Sequence, residues 1–541
     1  MYRRRYNNFF QRFIIAMLSP LSIGVIGSLA FAIYSVLLGQ SLFWDLLNYH
    51  YYNGFAICEG KLYQNILPAQ LPTFLNPTLD VPLYLLMTYL PPVATGFILG
   101  LIQGLNFVLI YILARQILSN TYIASINSIL QSLVALMIAI IGVTAPMFMS
   151  EIGTASWDNI TSILVLAALI LVLRKPTHKT PINALLGGLL IGAAVGLKLT
   201  NGIFVLALVC CGWWYERRLK RCIVTIGLFL LGTCFGFLLL HGWWSWYLFQ
   251  EYQNPLFPFF NGFFKSPYFA PINWTYWGRV PHSFYDALSY PFQWATTGVQ
   301  RTCELAFRDL RFAILSILFF ITLIITGTRI FIHHIYPVRS NKLDLIMFFI
   351  ISYCIWLVVI SAQRYIVVLE LLTGLITVLL IETIIKIRRY IILAGIIAAV
   401  VLVATTQAPD WGRAPWNSTW FDTKVPVELT INNQMFIMLG NEPISYLIPS
   451  FPPDAQFVRI VNNFSLAPKM DERIRQTINT QRGPIYSFKH LELNDQEIKL
   501  LQSYGLKRSS GECIQLNSKA YPGTITICPL NRIVMSEEPK K

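Results

Sequence analysis

The sequence predicts a mainly α-helical polytopic membrane protein, with about eleven transmembrane helices and a small extracytoplasmic α/β domain at its C-terminus. Hydrophobic residues make up 55% of the 541 residues and charged residues only 12%, and the mean hydropathy is +0.56. A soluble chain of this size cannot bury so much apolar surface in its core. The apolar residues fall into runs of membrane-spanning length up to residue 408, and the segment 409–541 is polar and of mixed charge.

Eleven apolar runs account for the predicted helices, because a helix of about 20 apolar residues crosses a bilayer. The first run follows a basic N-terminus, but it is too long for a signal peptide, so we interpret it as a retained helix. The fifth and sixth runs have only 13 residues each and predict short or re-entrant helices. The runs are 13–39, 93–113, 122–143, 160–173, 183–195, 202–214, 222–240, 312–326, 343–360, 366–381 and 391–405.

The net charge of +15 does not indicate nucleic-acid binding, because the basic residues are concentrated in every second loop. This alternation is the positive-inside pattern, and it predicts a cytoplasmic N-terminus and a C-terminal domain outside the cytoplasm. We expect a bacterial inner membrane protein. The basic residues of these loops are Arg3, Arg4, Arg5, Arg12, Arg115, Arg174, Lys175, Lys179, Arg217, Arg218, Lys220, Arg221, Arg329, Arg339, Lys342, Lys386, Arg388 and Arg389.

The first predicted extracytoplasmic loop, residues 40–80, is richer in ionisable side chains that could catalyse a reaction than the rest of the membrane domain. Asp45 lies six residues after the first apolar run, which places a carboxylate close to the membrane surface. The alternative is an interfacial aspartate that simply faces water. His50 either supports Asp45 or is a structural residue of the interface, and Glu59 is interpreted as structural.

The pattern Trp44-Asp45-x-x-Asn48-Tyr49-His50 is followed by Ala56, Gly60, Pro68-Ala69-Gln70 and Asn76-Pro77. It resembles the first extracytoplasmic loop of the GT-C glycosyltransferases, which are polytopic membrane enzymes that take sugars from polyprenyl-phosphate donors. The resemblance implies that Asp45 is the general base and that Asn48, Tyr49 and His50 support it. It also implies direct displacement with inversion at the sugar. The implied partners are the lipid bilayer, a polyprenyl-phosphate sugar and a glycan, lipid or protein acceptor.

A second pair of acids lies in the segment MFMSEIGTASWDN. Glu151 and Asp158 are seven residues apart, so a continuous helix would place both on one face. The alternative is that they complement a helix dipole at its N-terminus. Many GT-C enzymes have an acid in this second outer loop. The resemblance therefore implies a second acidic site that orients the acceptor or holds a divalent cation, Mg²⁺ or Mn²⁺.

Two basic residues are candidate ligands of the donor phosphate. Lys198 lies in Leu197-Lys198-Leu199-Thr200-Asn201-Gly202, between two short apolar runs, and is either a snorkelling lysine or a ligand-binding cation. The segment is similar to a helix break of the protein mannosyltransferases and the aminoarabinose transferase. An Arg-Tyr pair near the outer end of a late helix also recurs in the family. This resemblance implies that Arg364 meets the donor phosphate, and Glu370 is a candidate partner for it.

The remaining extracytoplasmic segments differ in character. The loop 241–311 is aromatic, broken by prolines and weakly charged, so we expect it to lie on the membrane surface and to cover a groove for lipid entry. In the domain 409–541, Cys513 and Cys528 flank Pro522-Gly523 and are candidates for a disulfide. No cysteine spacing predicts a metal site.

The sequence leaves two other functions open. One is a transporter or flippase for a lipid-linked or amphipathic substrate, which also needs membrane-embedded charge but not one dominant loop acid. The other is a non-catalytic assembly protein of the same architecture.

Overall fold

A computed structural model describes residues 11–119, 121, 127–174, 180–211, 219–273, 278–299, 301–334 and 340–533. Parts of the predicted runs 122–143 and 202–214 lie outside the described residues. So do eight of the basic residues that predict the orientation of the chain, namely Arg3, Arg4, Arg5, Lys175, Lys179, Arg217, Arg218 and Arg339.

Most elements are helical. The α-helices are α1 (Pro20–Leu38), α2 (Tyr51–Cys58), α3 (Asp80–Tyr89), α4 (Pro92–Gln103), α5 (Leu105–Leu118), α6 (Ser128–Val143), α7 (Pro146–Ser150), α8 (Asp158–Val172), α9 (Thr180–Leu197), α10 (Gly202–Cys211), α11 (Leu219–Tyr252), α12 (Asn261–Phe264), α13 (Phe284–Gln293), α14 (Arg311–His333), α15 (Asn341–Val359), α16 (Val367–Ile384), α17 (Arg388–Thr405), α18 (Pro468–Thr480) and α19 (Asp495–Ser503). A π-helix covers Leu46–His50, and 3₁₀ turns cover Leu71–Phe74, Leu199–Asn201, Gln363–Ile366, Val427–Leu429 and Ser445–Ser450.

The strands are short and lie mainly near the C-terminus. They are β1 (Gln40–Ser41), β2 (Gly298–Val299), β3 (Ala306–Phe307), β4 (Arg413–Ala414), β5 (Met435–Met438), β6 (Gln456–Arg459), β7 (Ile485–His490), β8 (Leu506–Arg508), β9 (Ile514–Asn517) and β10 (Thr524–Arg532).

Across the described ranges, eight helices are long and apolar enough to cross a membrane. They are α1, the pair α4–α5, α9, α11, α14, α15, α16 and α17. Three shorter apolar helices, α6, α8 and α10, coincide with the other predicted runs. The protein is therefore a helical, membrane-embedded protein. Eleven crossings and the orientation of the chain stay predictions. The fifth run is longer than predicted, because α9 begins at Thr180 and has 18 residues.

The chain divides into two compact units, each of which is discontinuous in sequence. The first comprises Met1–Gly39, Gly96–Gly242 and Thr275–Trp411. Its central helix is α16, in which every residue from Val367 to Glu382 is buried. A helix that is apolar on all sides belongs in a core rather than at a surface.

The second unit comprises Gln40–Thr95, Trp243–Trp274 and Gly412–Lys541. The predicted division after residue 408 kept the loop 40–80 with the membrane helices, whereas the observed unit joins that loop to the C-terminal region. Its sheet has the strand order β6-β5-β7-β10-β8, with β9 also paired to β10. Strand β5 is parallel to β6 and β7, and the pairs made by β10 are antiparallel. The predicted α/β character of this region is confirmed.

The predicted disulfide between Cys513 and Cys528 is also confirmed. It ties the residue before β9 to the middle of β10, so the two ends of this hairpin are covalently joined.

The prediction that residues 241–311 form a loop on the membrane surface is partly wrong. Helix α11 continues to Tyr252, because the first proline after residue 240 is Pro255. Trp244 on this extension is only 1% exposed, and its indole N–H donates to the carbonyl of Phe74 at 2.9 Å. Trp244 is therefore a core residue of the second unit and not part of an aromatic belt.

Candidate functional site

Asp45, the predicted general base, lies in the second unit at the start of an unusual turn of helix. It has helical backbone angles and directly precedes the π-helix Leu46–His50. Its side chain is 8% exposed, so it does not simply face water. Single π-turns are rare and occur frequently at functional sites.

The π-helix brings the predicted supporting residues into the interior of the second unit. The Nδ1 atom of His50 lies 2.7 Å from Oδ1 of Asp80, and the Tyr49 ring centroid lies 4.0 Å from that of His50. Asn48 donates through Nδ2 to the carbonyl of Ala69 at 3.2 Å. His50, Asn48 and Asp80 are all 2% exposed or less. His50 is thus anchored by a buried carboxylate.

Asp80 was missed as a site residue by the sequence analysis. It begins α3, which packs closely on α2 because Gly54 has no side chain. A Cβ atom on Gly54 would lie 2.3 Å from the carbonyl oxygen of Asp80. The signal in the sequence was Asn76-Pro77 followed by an acid in the first turn of a helix, a pattern typical of helix starts.

The segment after α2 extends the C-terminal sheet. The amide of Ile66 donates to the carbonyl of Phe457 at 2.9 Å, and the amide of Arg459 donates to the carbonyl of Ile66 at 3.0 Å. The guanidinium of Arg459 is fully buried and donates to the carbonyls of Pro68 (2.9 Å) and Gly440 (2.6 Å). The loop that carries Asp45 is therefore fixed to β6 by backbone and side-chain hydrogen bonds.

The first unit contains a separate cluster of predicted site residues. The ammonium of Lys198 lies 2.6 Å from Oδ2 of Asp158 and donates to the carbonyl of Ser156 at 3.1 Å. Its side chain keeps 19% exposure. A salt bridge to Asp158, rather than snorkelling alone, holds Lys198 in place.

The sequence around Lys198 explains why the chain breaks there. The side-chain amide of Asn201 donates to the carbonyls of Ala194 and Lys198, at 3.1 Å each. Each of these carbonyls also accepts a backbone N–H, from Lys198 and Asn201 respectively, at 3.0 Å. The Asn201 side chain therefore adds a second hydrogen bond to each carbonyl and stabilises the break after α9, where Lys198 has an extended conformation with φ −149° and ψ 108°.

Glu151 and Asp158 do not share a continuous helix, so that prediction is wrong. Helix α7 ends at Ser150, and the chain turns through Gly153 (φ +73°) and Trp157 (φ +63°) before α8 begins. A side chain at Gly153 could not fit, because its Cβ would lie 1.9 Å from Oγ of Ser35. Asp158 is the first residue of α8, as the helix-dipole alternative requires, and it also pairs with Lys198.

Glu151 is 1% exposed, and among the described residues no hydrogen bond of normal geometry reaches its carboxylate oxygens. Burial raises the pKa of the Glu151 carboxyl well above its usual range, and the charge of Asp158 raises it further. Lys198 and Arg364 act in the opposite direction, with smaller effects on this pKa. The nearby hydroxyl of Ser156 also lowers the pKa of the carboxyl slightly. The Glu151 carboxyl therefore keeps its proton to a higher pH than an exposed glutamate does.

Arg364 joins the same cluster from the turn before α16. Its guanidinium carbon lies 5.2 Å from the ring centroid of Tyr365 and 5.9 Å from that of Trp411. The ammonium of Lys198 lies 4.7 Å from the same Tyr365 ring. All three distances are typical of cation–π contacts. The cluster thus joins two cations and two aromatic rings from distant parts of the sequence.

Glu370 does not act as the predicted partner of Arg364. Its Oε2 atom accepts hydrogen bonds from the amides of Met147 (3.2 Å) and Phe148 (3.4 Å), at the start of α7, and its Oε1 accepts from Gln363 at 3.3 Å. Arg364 lies in the 3₁₀ turn before α16, whereas Glu370 lies inside α16, where it is buried.

Within the described ranges, no group of three or more His, Cys, Asp or Glu side chains could hold a metal ion. Glu151 and Asp158 therefore have no third ligand of this kind there. In comparisons with known proteins, no family model and no curated protein matches this chain.

Proposed function

We propose that the protein is an integral-membrane glycosyltransferase that moves a sugar from a polyprenyl-phosphate donor to an acceptor outside the cytoplasm. The observation that carries the proposal is the position of Lys198 and Arg364. Both were predicted as phosphate ligands, and they lie 4.7 and 5.2 Å from one ring, that of Tyr365. Two partly exposed cations beside aromatic rings suit a lipid phosphate, since cations stabilise developing phosphate charge.

The proposed chemistry is one displacement. Asp45 takes the proton of an acceptor hydroxyl, and the hydroxyl oxygen attacks the anomeric carbon of the sugar. The bond from that carbon to the phosphate oxygen breaks, and its electron pair leaves with the polyprenyl phosphate. Lys198 and Arg364 stabilise the departing phosphate. Because the attack is direct, the anomeric configuration inverts. We place the reaction on the outer face of a bacterial inner membrane, as the charge pattern of the loops predicts.

The test measures release of polyprenyl phosphate by purified protein in nanodiscs, supplied with polyprenyl-phosphate sugars one at a time. We expect release with at least one donor, and a decrease of about 100-fold or more in the Asp45→Asn variant, since a general base contributes that much to a rate. Glu59→Gln is the matched control, because Glu59 lies in the same loop and is exposed. Full activity of Asp45→Asn would exclude Asp45 as the base.

A flippase for a lipid-linked substrate is the second candidate. It is favoured by the ion pair of Asp309 and Arg311, which are both fully buried at the start of α14 (Nη1–Oδ1, 2.8 Å). Buried ionisable groups in membrane helices often mark a transport path. Transfer of labelled polyprenyl phosphate across proteoliposomes, without release from any sugar donor, would support this candidate over the enzyme.

A further inference from the structure

Helix α13 (Phe284–Gln293) exposes an apolar face that has no role in the proposed reaction. The exposed residues of this helix are Phe284, Tyr285, Leu288 and Phe292, and each of these side chains is between 48% and 84% exposed. Because an α-helix turns by about 100° per residue, the four positions lie within roughly 100° of one another around the helix axis. We call this side the apolar face of α13.

The face is the reverse of what a helix in contact with water shows. Helix α18 is the comparison within the same chain. Its residues Met470, Ile474 and Ile478 are buried, and its exposed residues are polar apart from Pro468 at its start. A helix on a water-exposed surface turns its apolar stripe to the core in this way. Helix α13 instead turns large apolar side chains outward, so it needs an apolar environment outside the protein.

Helix α13 is fixed at the ends of two membrane helices. It packs against α14, and the ring centroid of Trp294, the residue after α13, lies 5.0 Å from that of Phe312 and 5.8 Å from that of Trp356. Phe312 belongs to the first turn of α14 and Trp356 to the last turn of α15. Both helices are long and apolar enough to cross a membrane. Their two ends meet at Trp294, so α13 lies at one boundary of the bilayer.

The opposite side of α13 is polar and bound to the protein. The carboxylate of Asp286 lies 2.6 Å from Nη1 of Arg301 and accepts the backbone amide of His282 at 2.9 Å. The hydroxyl of Tyr290 donates to the carbonyl of Arg279 at 2.5 Å. These contacts fix the rotation of the helix about its axis, so the apolar face is held pointing away from the protein.

Glu304 connects the segment behind α13 to the cation cluster of the same unit. Its carboxylate forms an ion pair with Arg279, which also donates to the carbonyl of Thr302 at 3.3 Å. Partial burial raises the pKa of the Glu304 carboxyl, but the charges of Arg364 and Arg279 outweigh this effect and hold the pKa below its usual value. Glu304 therefore lies within electrostatic reach of Arg364, beside Lys198.

Size and surroundings decide what covers the apolar face. A stable interface between proteins buries about 800 Å² on each partner, more than four side chains of one ten-residue helix provide. Helix α14, against which α13 packs, is apolar and almost entirely exposed, so lipid acyl chains surround it. The apolar face of α13 therefore borders the bilayer rather than a second protein molecule.

We propose that α13 is an in-plane membrane anchor whose apolar face binds the acyl-chain region of the adjoining leaflet. The helix lies along the membrane surface with Asp286 toward the protein and Phe284 and Leu288 below the lipid headgroups, as amphipathic interfacial helices do. The anchor holds the segment up to Glu304 beside Arg364. If the proposed glycosyltransferase function also holds, on which this clause alone rests, the lipid-linked donor reaches Arg364 from the bilayer past α13.

The experiment identifies the molecules that contact α13 in the full-length protein, in phosphatidylcholine nanodiscs without any lipid-linked donor. The photocrosslinker p-benzoylphenylalanine replaces Phe284 or Leu288, one position per variant, and intact-mass spectrometry follows irradiation. We expect a mass increase of one phospholipid at both positions. The matched control carries the same crosslinker at Gln476, an exposed position of α18, and should gain no phospholipid. All three positions are exposed, so the fold tolerates the replacement.

A further pair of variants separates anchoring from accidental contact with lipid. Leu288→Asp should lower phospholipid crosslinking at Phe284 by about tenfold or more, because a carboxylate in the acyl-chain region is costly. Leu288→Phe keeps the face apolar and should leave the yield unchanged.

The proposal is overturned if neither Phe284 nor Leu288 crosslinks to phospholipid, if Gln476 does so equally well, or if Leu288→Asp has no effect. A crosslink to a second copy of the chain would also overturn it, in favour of a dimer surface. Because no donor is present, the result is independent of whether the protein transfers sugar.

Discussion

At the scale of single residues, burial raises the pKa of Glu151. The sequence shows an acid in a predicted outer loop, where it would be ionised. The fold instead removes it from water and places Asp158 near it, and among the described residues no hydrogen bond of normal geometry reaches its oxygens. Lys198 cannot compensate it fully, because two of its three N–H groups bind Asp158 and the carbonyl of Ser156.

This gives a prediction for pH dependence. The pKa of Glu151 is higher in the folded than in the unfolded protein, so the folded state binds this proton more tightly. The corresponding stability is fully present at acidic pH and is lost as the pH rises through the raised pKa. Glu151→Gln removes the titration, so we expect a higher Tm than wild type at neutral and alkaline pH and a flatter dependence of Tm on pH.

The measurement is thermal unfolding in detergent across this pH range, with Glu59→Gln as the control because Glu59 is exposed. Parallel curves for wild type and Glu151→Gln would show that Glu151 is ionised in the folded protein.

At the scale of elements, glycines decide how closely two membrane helices approach. Helices α9 and α11 each carry two glycines four residues apart, Gly188 and Gly192 on α9 and Gly232 and Gly236 on α11. A Cβ atom at any of these four positions would lie 2.1 or 2.2 Å from a carbonyl oxygen of the other helix. Small residues at this spacing let helix backbones touch, which is a main source of helix association in membranes. The glycine spacing is visible in the sequence, but the sequence does not show which helix packs against each glycine pair.

We therefore expect Gly192→Ala to lower the free energy of unfolding by about 1–3 kcal/mol, because the new methyl group overpacks the contact with Thr233. Denaturation by SDS in mixed micelles measures this. Gly227→Ala, on α11 itself, is the control. A Cβ there has no atom within 4 Å, so this change should be neutral or slightly stabilising. Equal losses in both variants would contradict the packing argument.

At the scale of the whole molecule, the second unit joins segments that are almost 400 residues apart in the chain. The loop after α2 pairs with β6 through Ile66, and Arg459 holds the turn at Pro68. The C-terminal sheet therefore stabilises the loop that carries Asp45, which gives the C-terminal region a structural role.

The test is limited proteolysis at Lys61, whose ammonium donates to the carbonyl of Pro453 at 2.7 Å. Arg459→Met keeps the apolar volume but removes the two hydrogen bonds to Pro68 and Gly440. We expect trypsin to cut after Lys61 about tenfold faster in this variant, because local opening costs less free energy. Lys507→Met, at an exposed position of β8, removes a charge from the same sheet and serves as control. If Lys61 is cut at the wild-type rate in Arg459→Met, the loop does not depend on this guanidinium.

The sequence by itself determined the class of the protein, the approximate position of its apolar helices and the α/β character of the C-terminal region. These follow from composition and local periodicity, which need no knowledge of neighbours in space. The sequence also identified Lys198, Arg364, Glu151 and Asp158, each separately, as candidate site residues. It identified Cys513 and Cys528 as candidates for the disulfide that the structure contains.

Only the tertiary structure decided which residues meet. It paired Lys198 with Asp158 and His50 with Asp80, tied Glu370 to the start of α7, and extended α11 into the predicted surface loop. It also placed the loop of Asp45 on the C-terminal sheet. The physical reason is that burial and pairing depend on contacts between segments far apart in the chain. Local sequence patterns contain no information about the distance between such segments.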